Sequence, residues 1–173
     1  MNNRISKKCV RFGIGLASIS LLMCGAAFAG TTAPSNLSVS SSVTNNCVIS
    51  TAPALDFSAY DPSGTNKASN LDVLANLGLT CTPGAVASIG LSLGANGASA
   101  VGTTRAMKSG TNVLNYELFA DSGRGTVWTV VPMVQAAAPS TSEVVYPIYG
   151  RVPFGQGVPA GTYGDTVAIT VNF

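Results

Sequence analysis

The final stretch of the chain, Val167-Ala168-Ile169-Thr170-Val171-Asn172-Phe173, alternates apolar residues with small or polar ones. In a β-strand, successive side chains point to opposite faces. Val167, Ile169, Val171 and Phe173 would therefore share one face, and the residues between them the other. A period of two indicates a half-buried strand.

The same period recurs along most of the chain. It appears in the rows Leu37-Val39-Ser41-Val43, Leu77-Leu79-Cys81, Ile89-Leu91-Leu93, Leu114-Tyr116-Leu118 and Tyr146-Ile148-Gly150-Val152. Turn-forming residues lie between the rows, as in Asp61-Pro62-Ser63-Gly64 and Thr82-Pro83-Gly84. Six or seven short strands separated by turns predict an all-β sandwich in a single domain.

Two segments depart from this period. Leu71 and Leu74 are three residues apart, which is compatible with one short helical turn within residues 66–76. The tract 94–102 is rich in Gly, Ala and Ser and is expected to be a loop.

The first 29 residues have the layout of a secretory signal peptide. A basic cluster, Arg4 to Arg11, precedes an apolar run over residues 12–24 and the small residues of Ala27-Phe28-Ala29. The run is too short to span a bilayer comfortably, so we expect cleavage after Ala29. A retained membrane anchor is the alternative. A lipoprotein would need Cys24 lipidated, and the bulky Met23 before it is unusual there.

Charge and composition exclude several classes of function. The whole chain carries 9 Lys+Arg and 7 Asp+Glu, for a formal net charge of +2. Four of the basic residues lie in the predicted signal peptide, so residues 30–173 keep five scattered basic residues and a net charge of −2. Without a basic patch, no nucleic-acid binding is expected.

Catalytic constellations are scarce as well. The chain has no His, which excludes Ser-His-Asp triads, Cys-His pairs and His metal ligands. Asp56, Asp61 and Asp72 lie close in sequence, but turn and cap roles explain them better than catalysis. We find no phosphate, metal or cofactor signature and predict that the protein is not an enzyme.

Cys47 and Cys81 are the two cysteines that follow the predicted signal peptide. In an oxidising compartment a lone pair is most simply a disulfide, here closing a loop of about 35 residues, worth roughly 4 kcal/mol in the chain-entropy model. A redox or metal pair is the competing interpretation, but a CxxC arrangement and further ligands are missing.

The segment Gly30–Asn46 carries no charge, is rich in Ser, Thr and Asn, and includes the row from Leu37 to Val43. Two interpretations remain open from the residues alone. The segment is either the first strand of its own domain or a strand that adds to the edge of another sheet.

Residues 147–166, PIYGRVPFGQGVPAGTYGDT, resemble the most recognisable stretch of the spore coat protein U family. That family includes subunits of archaic, Csu-type chaperone–usher pili. Tyr60-Asp61-Pro62, Leu79-Thr80-Cys81 and the segment 114–119 are also similar to the family, as is the alternating row that ends at Phe173. The resemblance covers essentially all of residues 30–173.

The resemblance implies an incomplete immunoglobulin-like β-sandwich that lacks its final strand and is completed by a donated one. The chain would then comprise a signal peptide (1–29), a donor-strand extension (30–46) and a pilin domain (47–173). The donor side chains would be Leu37, Val39, Ser41 and Val43, with Ser41 a weak occupant of its pocket. The acceptor groove would be lined by the C-terminal strand through Val167, Ile169, Val171 and Phe173, although plain core packing also explains that row. The Cys47–Cys81 bridge would hold the sandwich before completion.

The family also implies partners. A periplasmic chaperone lends a strand and grips the terminal carboxylate in a basic cleft, and an outer-membrane usher exchanges that strand for the extension of the next subunit. Identical or related subunits then join head to tail in an extracellular pilus that supports adhesion and biofilm formation, without cofactors. The alternatives are a secreted coat protein and a tip adhesin that binds a surface or glycan.

Overall fold

The structure is a computed structural model that describes Gly30 and residues 32–173. The predicted signal peptide lies outside these described residues. The chain divides into two units at Ser40, and every strand of the described chain belongs to the second unit, Ser41–Phe173. Of the first unit, residues 32–40 contain neither helix nor strand. Among the described residues, no helix has the length and apolar character needed to cross a membrane.

The described residues form eight strands, one or two more than the alternating rows predict. They are β1 (Cys47–Thr51), β2 (Leu71–Cys81), β3 (Ser88–Leu91), β4 (Arg105–Ser109), β5 (Asn112–Phe119), β6 (Met133–Val134), β7 (Val144–Val152) and β8 (Ile169–Asn172). Two single 3-10 turns, Thr65–Lys67 and Gly97–Ser99, are the helical elements of this part of the chain. The prediction of an all-β fold is therefore confirmed.

The strands form two antiparallel sheets. One has five strands in the order β1-β2-β7-β5-β4, and the other has three in the order β6-β3-β8. The longest pairing joins β2 to β7, from Leu71 opposite Val152 to Leu79 opposite Val144. In the smaller sheet, β3 pairs with β8 from Ser88 opposite Asn172 to Leu91 opposite Ile169.

The core lies between the sheets because alternate residues of each strand point inward. Its buried members come from both sheets and include Leu77, Leu79, Ile89, Leu91, Leu114, Leu118, Ile148 and Val152. Trp128 is also buried, and its indole Nε1 donates a hydrogen bond of 3.0 Å to the carbonyl oxygen of Ile89. The period-two rows therefore mark the inward faces of β2, β3, β5 and β7.

The prediction of a helical turn within residues 66–76 is wrong for most of that range. The 3-10 turn ends at Lys67, and β2 begins at Leu71. Nine consecutive residues from Leu71 to Leu79 pair with β7, and this ladder outweighs the weak local signal of two leucines spaced three apart.

A buried arginine connects the two sheets. Arg105 on β4 is fully buried, and its Nη1 lies 2.7 Å from Oε1 of Glu117 on β5. Its other nitrogens donate to backbone carbonyls, with Nε 2.9 Å from Ser92 O and Nη2 2.6 Å from Trp128 O. Glu117 also accepts from the Thr104 backbone N–H at 2.8 Å. Arg105 thus fixes the end of β3 against the five-stranded sheet.

Replacing Glu117 with Ala should destabilise the fold strongly, because the Arg105 guanidinium would stay buried without its counter-charge. We expect the free energy of unfolding in urea to fall by about 3–5 kcal/mol. The matched control is Asp72→Ala, which removes the partly exposed ion pair with Arg151; it should cost about 1 kcal/mol or less. Equal losses in the two variants would contradict this assignment.

Candidate functional site

The outer edge of β8 is unpaired in the described part of the chain. β8 is the last strand of the order β6-β3-β8, so β3 occupies one of its edges and no strand among residues 30 and 32–173 occupies the other. The segment before β8 keeps the same orientation, since Thr166 O accepts from Ala95 N at 3.0 Å and Ala168 O accepts from Ser92 N at 2.9 Å. Backbone groups of alternate residues point to opposite edges of a strand. Those of Val167, Ile169 and Val171 therefore face the free edge.

A cavity of about 260 Å³ opens beside this edge and reaches into the core. One rim is the extended segment that carries Pro53, Leu55 and Phe57, and the other rim is the chain from Tyr163 to Ile169. The floor consists of core side chains contributed by both sheets, namely Ala75, Leu91, Met107, Tyr116, Leu118 and Ile148. A core that is accessible along one strand edge is what a sandwich missing a strand would present.

A second cavity, of about 550 Å³, continues from the first. The two share the lining residues Leu55, Phe57, Met107 and Tyr163. The second is bounded on its far side by residues 158–163. The two cavities therefore adjoin, and we refer to them together as the open groove.

The first cavity has one charged lining residue. Asp165 lies on its rim and accepts a hydrogen bond of 2.7 Å from the Tyr116 hydroxyl at Oδ2. Its Oδ1 accepts from the Asn96 backbone N–H at 3.0 Å and from Asn96 Nδ2 at 3.1 Å. Gly94, with φ +83°, leaves space for the Asp165 carboxylate, because a Cβ at position 94 would collide with Oδ2. The carboxylate is therefore held in one orientation by three hydrogen bonds from two residues distant in sequence, Asn96 and Tyr116.

Burial raises the pKa of Tyr116 well above its ordinary value, and the hydrogen bond to Asp165 raises it further. The side chain therefore remains a hydroxyl donor at neutral pH and well into the alkaline range.

Gly30 and residues 32–46, the described part of the N-terminal extension, contain no strand. Residues 32–46 contain neither strand nor helix, and their side chains are exposed. Leu37, Val39 and Val43 are 87%, 84% and 85% exposed. The row that predicts a strand thus has no pairing partner here, and the first strand of the domain is β1 instead.

A disulfide links Cys47 at the start of β1 to Cys81 at the end of β2. The residues just outside it are also paired, because Thr82 N donates to Asn46 O at 2.8 Å and Asn46 N donates to Thr82 Oγ1 at 3.1 Å. These contacts anchor the point at which the extension leaves the domain.

The predicted groove residues of the C-terminal strand do not all lie in the groove. Val167 and Ile169 line it. Val171 is half-buried and packs against the core, and Phe173 is 53% exposed.

The aspartates considered as catalytic candidates have structural roles. Asp56 accepts from Ser58 N at 2.7 Å, and Asp61 accepts from Gly64 N at 2.8 Å. Asp72 is held between Arg151 and Arg124. No group of three or more His, Cys, Asp or Glu that could hold a metal ion occurs among residues 30 and 32–173.

Sequence reasoning missed the opposite rim and the polar position. Pro53, Leu55 and Phe57 alternate in sequence, a signal too short and too Pro-interrupted to predict a groove wall. Asp165 lies in a turn-rich stretch, and its partners Tyr116 and Asn96 are 49 and 69 residues away.

Comparison with known proteins identifies the family. The model of the Spore Coat Protein U domain matches residues 33–170. The chain belongs to the Spore Coat Protein U domain family. Among curated relatives, Protein U of Myxococcus xanthus is 35% identical over 157 residues, covering 82% of this chain and 86% of that protein.

Two solved structures resemble this Spore Coat Protein U domain chain. One belongs to the CsuC–CsuE chaperone–tip adhesion subunit pre-assembly complex of the archaic chaperone–usher Csu pili of Acinetobacter baumannii, at 25% identity and a TM-score of 0.51. It is matched over 76% of this chain, which spans 40% of the length of that chain. The other is a chaperone–usher pilus structure at 14% identity and a TM-score of 0.51, covering 82% of this chain and 99% of that one. The predicted immunoglobulin-like fold is thereby confirmed.

Stability should fall at alkaline pH because of Tyr116. A tyrosine whose pKa is higher in the folded than in the unfolded chain stays protonated while the unfolded chain ionises near pH 10. Stability is therefore full below pH 10 and should fall by about 1.4 kcal/mol per pH unit above it. Tyr116→Phe should lose stability at pH 7 but show a shallower alkaline decline in urea titrations than the unmodified chain. An unchanged slope in Tyr116→Phe would refute the assignment.

Proposed function

We propose that this protein is a structural subunit of an extracellular chaperone–usher pilus, and that it polymerises by donor-strand exchange. The extension of residues 30–46 would supply the strand, and the open groove of the next copy would receive it. The observation that carries the proposal is the unpaired edge of β8 beside a cavity into the core, on a chain that also has an exposed alternating segment.

The acceptor side has both features that strand addition requires. The backbone groups of Val167 and Ile169 face an unoccupied edge, where a new strand would gain main-chain hydrogen bonds. The cavity beside them offers apolar walls for alternate side chains of that strand. An unfilled groove exposes core surface and unpaired peptide groups, and both are costly in water-facing positions.

The donor side matches in size and character. Leu37, Val39 and Val43 project at alternate positions from an uncharged segment. Burying three aliphatic side chains would contribute roughly 5–8 kcal/mol before ordering costs. Because the donor and the acceptor are different surfaces of the chain, each copy would bind the next in a contact that does not close, and a filament results. Slow release of the strand would give such a filament kinetic stability.

The route to the surface follows from the same proposal. Residues 1–29 would direct export and be removed, and Cys47 and Cys81 would become oxidised outside the cytoplasm. A periplasmic chaperone would cover the open groove with a lent strand until an outer-membrane usher exchanges it. Support for a chaperone partner comes from the similarity to the CsuC–CsuE complex. The filament would serve adhesion and biofilm formation, a role without catalysis or cofactor.

Deleting residues 30–46 should abolish polymerisation, because the chain would keep its groove but have no strand to donate. The truncated subunit should still be captured by its chaperone, as measured by co-purification from the periplasm. Electron microscopy and size-exclusion chromatography would measure the loss of filaments. Normal filaments from the truncated chain would refute the proposal.

The matched control restores the same residues in another place. Residues 30–46 are attached after Phe173 through a short linker, so that the strand can fill the groove of its own chain. This variant should be a monomer with a higher melting temperature than the deletion variant. No gain in melting temperature would show that the segment does not fit the groove.

A secreted coat protein is the second candidate, favoured by the 35% identity to Protein U of Myxococcus xanthus. A coat protein would be exported without a dedicated usher. Finding chaperone and usher genes beside the gene for this chain, and thin filaments on intact cells, would separate a pilus from a coat. Binding of glycans or abiotic surfaces by the monomeric variant, in which residues 30–46 follow Phe173, would instead indicate a tip adhesin.

A further inference from the structure

The rim of the open groove has a polarity pattern of its own. From Tyr163 to Ile169 the side chains alternate between half-buried and exposed positions. The half-buried positions that line the groove are Tyr163, Asp165, Val167 and Ile169, in chain order. Read along the chain, this row is aromatic, anionic, aliphatic and aliphatic.

The donor segment has a matching pattern in the reverse direction. Its alternate residues are Leu37, Val39, Ser41 and Val43. From Val43 backwards, this row is aliphatic, polar, aliphatic and aliphatic. Each row therefore has a single polar member. When all four positions of both rows are paired, the two polar members coincide only in the antiparallel orientation, because the parallel arrangement that joins Ser41 to Asp165 leaves Leu37 and Ile169 without partners in the rows.

We propose that the extension of a second copy of this chain enters the open groove antiparallel to β8, with Ser41 opposite Asp165. Leu37 then lies opposite Ile169, Val39 opposite Val167, and Val43 opposite Tyr163. This inference rests on the proposed function and adds to it the register of the strand and the residue pair that selects it.

The chemistry of Asp165 suits a hydroxyl donor from outside the domain. Its Oδ1 already accepts two hydrogen bonds from Asn96, and its Oδ2 accepts one from Tyr116. A carboxylate oxygen has two acceptor positions, so Oδ2 keeps one. Residues directly opposite in an antiparallel hydrogen-bonded pair have Cα atoms about 5.5 Å apart, which brings a serine hydroxyl within reach of the carboxylate.

Other registers place unlike groups together. A slip of two residues in one direction puts Val43 against the carboxylate of Asp165 and Ser41 against Val167. A slip in the other direction, like the parallel orientation, puts Val39 against Asp165. Each alternative desolvates an anion against an aliphatic side chain, which is costly. A slip of one residue turns the whole apolar row away from the groove.

Cysteine cross-linking in the assembled polymer tests the register. Leu37→Cys is combined in the full chain with Ile169→Cys, Val167→Cys, Val171→Cys or Tyr163→Cys, and polymers are separated on non-reducing gels. Directly opposite residues meet the distance requirement of a disulfide, whereas positions two residues away do not. We expect a reducible ladder of covalent multimers from the Ile169→Cys pairing alone.

Each other result has a distinct meaning. A ladder from the Val167→Cys or Val171→Cys pairing overturns the register but keeps donor-strand exchange, and a ladder from Tyr163→Cys overturns the antiparallel orientation. A cross-linked monomer shows that the chain fills its own groove and overturns the second-copy occupant. Polymers that form no cross-link in any pairing overturn the inference, and failure of the unmodified chain to polymerise overturns the proposed function with it.

Substitution of Ser41 measures the contribution of the polar pair without altering the groove. Ser41→Ala should speed subunit release from the polymer in denaturant by about tenfold, since a hydrogen bond to a charged group is lost. Ser41→Asp should prevent stable polymers at neutral pH, because it would face Asp165. The controls are Ser40→Ala and Ser40→Asp, the same changes at the neighbouring serine that points away from the groove. Equal effects at positions 40 and 41 would overturn the role assigned to Ser41.

Discussion

The free edge of β8 is the constraint on which the rest of the structure depends. The smaller sheet has three strands against five, so the inward row of its last strand covers only part of the core. Val167 and Ile169 have core side chains on one side of them and the open groove on the other. Backbone groups at such an edge lack partners, and the apolar floor of the groove faces solvent. The fold of such a chain must be stabilised by contacts that do not depend on a strand at this edge.

Two such contacts lie away from the free edge. The disulfide joins β1 to β2 at one edge of the larger sheet. Arg105 joins β4 and β5 to the carbonyl groups of Leu91 and Ser92, at the end of β3. Since β3 is the neighbour that pairs with β8, a buried cation in the opposite sheet helps to set the position of the free edge of β8. Removing one partner of such a buried pair is strongly destabilising because it leaves the other charge unpaired, so the Arg105–Glu117 contact restricts how far β3 can shift.

The parts of the fold that sequence predicts are those with one-sided burial. The rows 114–118 and 146–152 alternate clearly because each has a core face and an outer face. β4 could not be predicted in this way because its buried face begins with Arg105. A charged residue at a core position is explained only by its ion pair with Glu117, which the sequence does not show. β6 has two residues, too few to show any period. The polar point of the groove is likewise unreadable, because Asp165, Tyr116 and Asn96 come together only through the tertiary fold.

An open edge and an exposed apolar segment on one chain are ordinarily an aggregation hazard, because any strand of suitable pattern can add to the edge. Aliphatic side chains alone would bind in several registers, since a shift of two residues leaves an apolar row apolar. A polar residue in the donor row gives up some hydrophobic contact but makes the shifted registers costly when it must meet a single carboxylate. In the proposed register, Ser41 would therefore add little affinity but would add specificity. In that register the contacts of Asp165 with Tyr116 and Asn96 would have a use, because a fixed anion distinguishes one register from the next better than a mobile one does.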